Sequence, residues 1–331
     1  MDKKSSLQRQ QGVALITVLL VIALVVIIAA NMTGRLQLLM SRSINAQASQ
    51  QGLWSAMAGE QLVFNVLEQD YKDDSQSVNL AQLWAQKGMI FPLNDGALSG
   101  EIKDLNSCFN LNALAAVDST NPQQRTLAQR QFEVLLQSLN VEDYSAELLS
   151  YTVKDWVDSD KRVNGNFGAE DSTYAGKVVP YIAANGLMAD VSELLAIEGM
   201  TSSIYRKVKP YVCVLPTMEN KINVNTIEED GTHVLVALFE SKLDLNDAKT
   251  LVSSRDNEGY KSVDDFFSST EITAMGTIAD DIKEQFDITS NDFSATLTFA
   301  VEQQSFTLNT NYHRDEQGKL HIVSRRIGND E

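Results

Sequence analysis

Residues 155–174, DWVDSDKRVNGNFGAEDSTY, hold the densest group of side chains that could do chemistry. Asp155, Asp158, Asp160, Glu170 and Asp171 place five carboxylates within 17 residues. Between them Asn164 and Asn166 carry amide oxygens, and Gly165 and Gly168 let the chain turn back on itself. A hard cation such as calcium takes roughly six to eight oxygens, mixing carboxylate, amide and main-chain donors from a flexible loop. This segment supplies that inventory without the glycine and terminal glutamate positions of an EF-hand. A solvated acidic loop is the competing account, because many acidic clusters are no more than that.

Other chemistry is poorly served. His233, His313 and His321 have neither metal nor general-base spacing, and the last two fall in strand-like segments. No GxSxG, HExxH, Walker or GxGxxG pattern stands in a fitting context, so the sequence does not read as an enzyme. Trp84 and Trp156 read as packing residues rather than sugar platforms. Two cysteines, Cys108 and Cys213, with no CxxC pair exclude a cysteine-rich zinc site. The formal net charge of −17 repels phosphate backbones and anionic headgroups; it suits solubility, divalent cations or basic partner surfaces. A hydrophobic content of 44% against 21% charged residues is that of a folded chain.

The N-terminus sets the compartment. Lys3, Lys4 and Arg9 against Asp2 precede an apolar run from Val13 to Ala30, whose only polar member is Thr17. At about 1.5 Å per residue the run covers roughly 27 Å, enough for a thin bilayer core. Positive charge before it keeps the N-terminus cytoplasmic and translocates the rest. A cleavable secretory signal is the alternative, with Ala29 and Ala30 as small residues for a cut, but the run is long for one. Export makes a Cys108–Cys213 disulfide the natural pairing; two buried free thiols are the other possibility. In the chain-entropy description, closing a loop of ~100 residues is worth ~4.7 kcal/mol.

Gly12, at the polar-to-apolar boundary, resembles the site cut by prepilin peptidase. That resemblance implies cleavage between Gly12 and Val13 and N-methylation of the new Val13 amine. Thr17 then occupies the fifth mature position, where most pilins and pseudopilins carry a glutamate thought to pair with a neighbouring subunit's amine.

The elements behind the acidic loop follow from periodicity. With no proline before Pro92, one helix is predicted from about 13 to 70, with Leu53, Met57, Phe64 and Leu67 at helical spacing and Val63 and Val66 beside them. Gly34, Gly52 and Gly59 are expected to weaken it locally, and Asp70, Asp73 and Asp74 to end it. Residues 97–105, 293–302, 304–312 and 319–327 read as strands, with a turn at 315–318. The stretch between about 110 and 285 is helical and turn-rich. It holds weak repetition: Asn110-Leu111-Asn112-Ala113 resembles Asn223-Val224-Asn225-Thr226, and 190–200 resembles 262–276. The second copy is similar to helix-hairpin-helix or SAM-like modules, which often bind DNA. Its turn at 241–247 nevertheless has no glycine and carries two aspartates, so no nucleic acid is expected.

The leader, Thr17, the "DW-x-D-x-D…G-x-E-D…Y" match at Asp155, Trp156, Asp158, Asp160, Gly168, Glu170, Asp171 and Tyr174, the "NVNT" segment and the last strands together resemble the minor pseudopilin K family (GspK) of type II secretion. That resemblance implies an α+β, type IV pilin-like fold, a long N-terminal helix on an antiparallel sheet, with a large inserted α-helical domain containing the SAM-like repeats. The divisions are a leader at 1–12, a transmembrane helix at 13–33, pilin-like parts at 34–109 and 286–331, and the insertion at 110–285. It further implies structural Ca2+ with Asp158, Asp160, Glu170 and Asp171 as ligands, while Asp155 could orient a neighbour or cap its helix and Asn164 could add a carbonyl. The implied role is a pseudopilus-tip subunit in the cell inner membrane with its domain in the periplasm, processed by prepilin peptidase and partnered by minor pseudopilins I and J. A minor pilin-like protein of a type IV pilus or DNA-uptake system is the alternative, as is a membrane-anchored periplasmic binding module outside any filament.

Overall fold

A computed structural model describes residues 11–93, 96–117, 124–256, 258–301 and 304–328. Most of the leader, residues 1–10, lies outside the described residues. Helix α1 runs Gln11–Asp73, 63 residues or about 95 Å. Its apolar N-terminal part has a mean hydropathy of 3.4 over 18 residues and is unburied, long and greasy enough to cross a membrane. The helix first meets the rest of the chain near Ala48.

Beyond that point α1 lies on a five-stranded antiparallel sheet. Strands β1 (Ile90–Leu93) and β2 (Gly96–Asp104) come before the insertion. After it come β7 (Asp292–Val301), β8 (Gln304–Arg314) and β9 (Leu320–Ile327), in spatial order β1-β2-β7-β8-β9. Alternation on β7 buries Phe293, Ala295, Leu297 and Phe299 against Ala56, Val63 and Leu67 of α1. The helix face expected from periodicity is met at Val63 and Leu67, with Phe64 and Val66 packed beside them, but not at Met57. Met57 is exposed, and the contact line is Gly52, Ala56, Gly59, Glu60, Val63 and Leu67. Small residues win there because they let helix and sheet approach closely. A Cβ on Gly52 would stand 2.7 Å from Phe306 Cβ, and one on Gly59 would stand 2.8 Å from a Leu98 methyl. Two of the three glycines that look like helix weaknesses, Gly52 and Gly59, are therefore contact points.

Buried polar groups fix the register of α1 on the sheet. Arg325 donates to both Glu60 oxygens (2.7 and 2.8 Å), and Thr310 Oγ1 donates to the same carboxylate at 3.0 Å. Further along, Arg314 donates to Glu68 at 2.8 Å and to the Leu67 carbonyl at 3.0 Å, and lies over the Tyr71 ring.

The chain between β2 and β7 forms a second body with its own core, reaching from Phe109 to Phe286. Its helices are α2 (Leu127–Ser138), α3 (Asp143–Val157), α4 (Asp171–Ala175), α5 (Ser202–Val208), α6 (Thr232–Leu238), α7 (Leu245–Ser254), α8 (Val263–Phe267), α9 (Thr270–Ala274) and α10 (Asp280–Lys283). It is not purely helical. Strand β3 (Phe109–Asn110) pairs in parallel with β4 (Val212–Cys213), and β5 (Ile222–Asn223) with β6 (Phe286–Asp287). A Cys108–Cys213 disulfide sits beside the first pair.

The two Asn-x-Asn segments follow these short strands and use matching hydrogen bonds. Asn112 accepts from Met188 N–H at 2.8 Å and donates to the Met188 carbonyl at 3.0 Å. Asn225 accepts from Tyr260 N–H at 2.7 Å and donates to the Tyr260 carbonyl at 3.0 Å. Two residues beyond each clasped residue, Asp190 and Ser262 cap the next short helix. The glycine-free turn after α6 is made by Glu240 and Ser241, both in the left-handed region.

Sheet and insertion meet at a hydrogen-bonded seam. Asp104, at the end of β2, receives Thr226 Oγ1 and Ser290 Oγ at 2.5 Å each and Asn106 N–H at 2.7 Å. Asn106 accepts from Asn291 and Asp292 N–H and donates to the Lys221 carbonyl. The close approach at Gly52 yields a test. Gly52→Ala should lower the domain's stability by about 1–3 kcal/mol through overpacking against Phe306, read from the urea midpoint. Gly34→Ala, which meets open space, should leave that midpoint unchanged.

Candidate metal centre

Helix α3 delivers the first two carboxylates. Asp155 lies in its last turn, and Asp158 is its C-cap residue, donating its N–H to the Lys154 carbonyl at 2.9 Å. The loop that follows is shaped by Asp155, which is fully buried. It accepts from Asn164 N–H at 3.2 Å, from Asn164 Nδ2 at 2.7 Å and from Ala169 N–H. Gly168 permits this closure, since a Cβ there would fall 2.2 Å from Asp155 Oδ2 and 2.6 Å from the Asn164 nitrogen. Asp160 turns the chain locally, accepting from Arg162 N–H at 2.8 Å and pairing with the Arg162 guanidinium.

The loop brings Glu170 back against the end of α3 as the N-cap residue of α4. One oxygen each from Asp158, Asp160 and Glu170 lie within 4.8 Å of one another. Glu170 is only 3% exposed, and neither of its carboxylate oxygens has a hydrogen-bond partner; Asp158 Oδ1, also buried, has none either. Buried polar atoms are ordinarily paired, and leaving a charged one unpaired is costly.

The electrostatics follow from this packing. Burial, then the charges of Asp155, Asp158, Asp171 and Asp160, push Glu170 up to about 7. Burial also raises Asp158, partly opposed by Lys154, whose Nζ is 3.8 Å away and donates to the Leu114 and Ala116 carbonyls. Burial takes Asp155 up to about 6 despite its hydrogen bonds from Asn164. Asp160 is held low by its hydrogen bonds from Arg162. The three converging groups offer only oxygen donors, two of them buried and unfilled, and that donor set fits a hard cation of the calcium class.

Not every residue named from the sequence converges. Asp171 does not join the cluster: Lys161 Nζ donates to its Oδ2 at 2.7 Å and Ala183 N–H to its Oδ1 at 3.2 Å. Neighbouring residues at a helix start project in different directions, so Glu170 and Asp171 part company. Asn164 presents its amide NH2, not its carbonyl, to Asp155 and Asp158. Sequence reasoning missed Lys154, although its i,i+4 spacing to Asp158 on a helix was available. Trp156 packs edge-on to Tyr174 behind the loop, and Thr17 donates to the Ala14 carbonyl within α1.

A long exposed apolar helix, docked by its second half on an antiparallel sheet that carries a second, largely helical body, defines a pilin-like protein. Residues 107–217 and 222–289 match two family profiles, both described as Type II secretion system (T2SS), protein K. Type II secretion system protein K of Aeromonas hydrophila is 38% identical over 328 residues, covering 98% of each chain. That of Klebsiella pneumoniae is 33% identical, covering 97% of each. The crystal structure of the GspK-GspI-GspJ complex from enterotoxigenic Escherichia coli superposes with a TM-score of 0.78 at 31% identity, covering 87% of this chain and 100% of that one. This chain belongs to the type II secretion system protein K family.

A pH test isolates the buried glutamate. Glu170 binds its proton more tightly in the fold (about 7) than at its ordinary 4.5. In chelator-treated protein its contribution is therefore full below about 4.5 and is lost as pH rises through about 7. Glu170→Gln should remove that part of the decline, measured as thermal midpoint against pH; an unchanged slope would show that Glu170 is not the group responsible.

Proposed function

We propose that this chain is a structural, non-catalytic minor pseudopilin at the tip of the type II secretion pseudopilus. There it nucleates or caps assembly with minor pseudopilins I and J and supports export of folded proteins. The observation that carries this reading is where the insertion leaves the sheet. The start of β7 lies beside Arg314, which reaches residues 67 and 68 of α1, whereas the end of β7 lies beside Ala48 and Ser49. The insertion thus extends from the end of the sheet remote from the apolar part of α1. A body of that size on the far end leaves no room for an identical subunit to stack above. Thr17 in place of the usual glutamate supports the same end position, since no subunit above needs to be gripped. The partners rest on the GspK-GspI-GspJ complex formed by the similar Escherichia coli protein.

In this reading prepilin peptidase cuts between Gly12 and Val13 and the Val13 amine is methylated. The helix then anchors in the inner membrane and the domain lies in the periplasm, where the Cys108–Cys213 disulfide persists. Asp158, Asp160 and Glu170 would hold Ca2+, with Asp155 and Gly168 shaping their loop. The ion supplies positive charge that neutralises the buried carboxylates and so stabilises the fold. Nucleic acid has no place in this role, given the net charge of −17.

Two measurements test it. Full-length protein in detergent micelles, mixed with minor pseudopilins I and J, should co-elute as one hetero-complex; separate elution would remove the tip assignment. Trp54, 70% exposed on the side of α1 away from the sheet, is the expected anchor, and Trp54→Ala should weaken that complex by about 2 kcal/mol or more. Calorimetry should show calcium binding that Asp158→Asn and Glu170→Gln each abolish.

A further inference from the structure

We infer that Asp171 is a positioning residue through which occupancy of the cation centre holds the apolar segment 177–187 in place; this rests on the calcium reading above. Helix α4 joins the two. It is only five residues long, so its placement is set by what grips its ends. At its start stands Glu170, buried against Asp158 and Asp160 with both oxygens unfilled. Near its other end Tyr174, fully buried, packs against Trp156 and Tyr181 with ring centroids 5.3 and 5.2 Å away.

The segment that follows has neither helix nor strand. Besides the Lys177–Glu198 ion pair and the Lys177 and Tyr181 N–H groups on the Tyr174 carbonyl, it has two further ties. Tyr181 donates its hydroxyl to the Ala196 carbonyl at 2.7 Å, and Ala183, 3% exposed, donates its N–H to Asp171 Oδ1. Between and beside these ties Val178, Val179 and Ile182 stand out in solvent, 102%, 75% and 66% exposed. Three aliphatic side chains that protrude this far stay in one arrangement only if the main chain beneath them is held. The second tie reaches the cation centre through one peptide bond, from Asp171 to Glu170. With the centre empty, nothing offsets the repulsion among Asp158, Asp160 and Glu170, so the start of α4 is held less firmly and α4 with Asp171 swings away more often. The Ala183 N–H then loses its acceptor. With calcium bound, that repulsion is neutralised and the tie is kept.

Hydrogen exchange by mass spectrometry and tryptic cleavage after Lys177, on full-length protein in micelles with calcium or chelator, test the coupling. In the parent chain calcium should slow both across 177–187 by at least about tenfold. Asp171→Ala should still bind calcium, weakened by no more than the about 10–100-fold that losing a group outside the ion's own ligands costs, yet show no calcium-dependent protection of the segment. Ala183→Pro, which deletes the donor and leaves every carboxylate intact, should behave the same way. Loss of calcium binding in Asp171→Ala equal to that of Asp158→Ala would make Asp171 a ligand and overturn the inference. Calcium binding without protection in the parent chain would overturn it too. Absence of calcium binding in the parent chain would remove the calcium reading itself, and this inference with it.

Discussion

Buried main-chain groups must be paired, and the inserted body has too little regular structure to pair its own. Among the described residues six of its nine helices have seven residues or fewer and its ladders are two residues long, so many N–H and carbonyl groups end inside the core without a helical or sheet partner. Five buried asparagines fill the gap. Asn106, Asn110, Asn112, Asn223 and Asn225 each present an amide that accepts one or two main-chain hydrogens and donates to a distant carbonyl. An asparagine side chain here acts as a strand one residue long. Remove that substitution and the body would have to leave carbonyls such as those of Met188, Leu215 and Tyr260 unpaired.

The same device joins the body to the sheet. Asn106 links the start of β7 to the Lys221 carbonyl, and Asn223 reaches back to the Val78 carbonyl next to the end of α1. Asp104 closes the seam with two serine/threonine hydroxyls and the Asn106 N–H, and burial pushes it up to about 6 against those hydrogen bonds. A seam made of directional bonds fixes orientation more firmly than apolar contact alone, because hydrogen bonds tolerate little rotation. That rigidity sets which way the inserted body points from the sheet.

The acidic centre obeys the opposite rule. There the protein leaves carboxylate oxygens of Glu170 and Asp158 buried and unfilled, while Asp155 next door is supplied with three donors. The contrast separates the residue that shapes the loop from those whose buried oxygens have no hydrogen-bond partner. Gly168 is the hinge of this arrangement, because the carboxylate of Asp155 occupies the space any side chain would need.

Much of this was legible in the residues themselves. Apolar continuity from Val13 to Ala30 dictates a membrane-length helix, strict alternation in 293–302 dictates a strand buried on one face, and the crowding of carboxylates in 155–171 marks the candidate centre. Those signals are local: they depend on period and composition within a dozen residues or so. Tertiary structure alone decided that Gly52 and Gly59 are contacts rather than flaws, that Met57 faces outward, that Asn164 turns its amide hydrogens inward, and that Asp171 pairs with Lys161 and the Ala183 N–H. Each of those outcomes depends on an atom brought close from elsewhere in the fold, Phe306 to Gly52 above all. Spacing along the chain carries the period of an element, but not the identity of the surface it will meet.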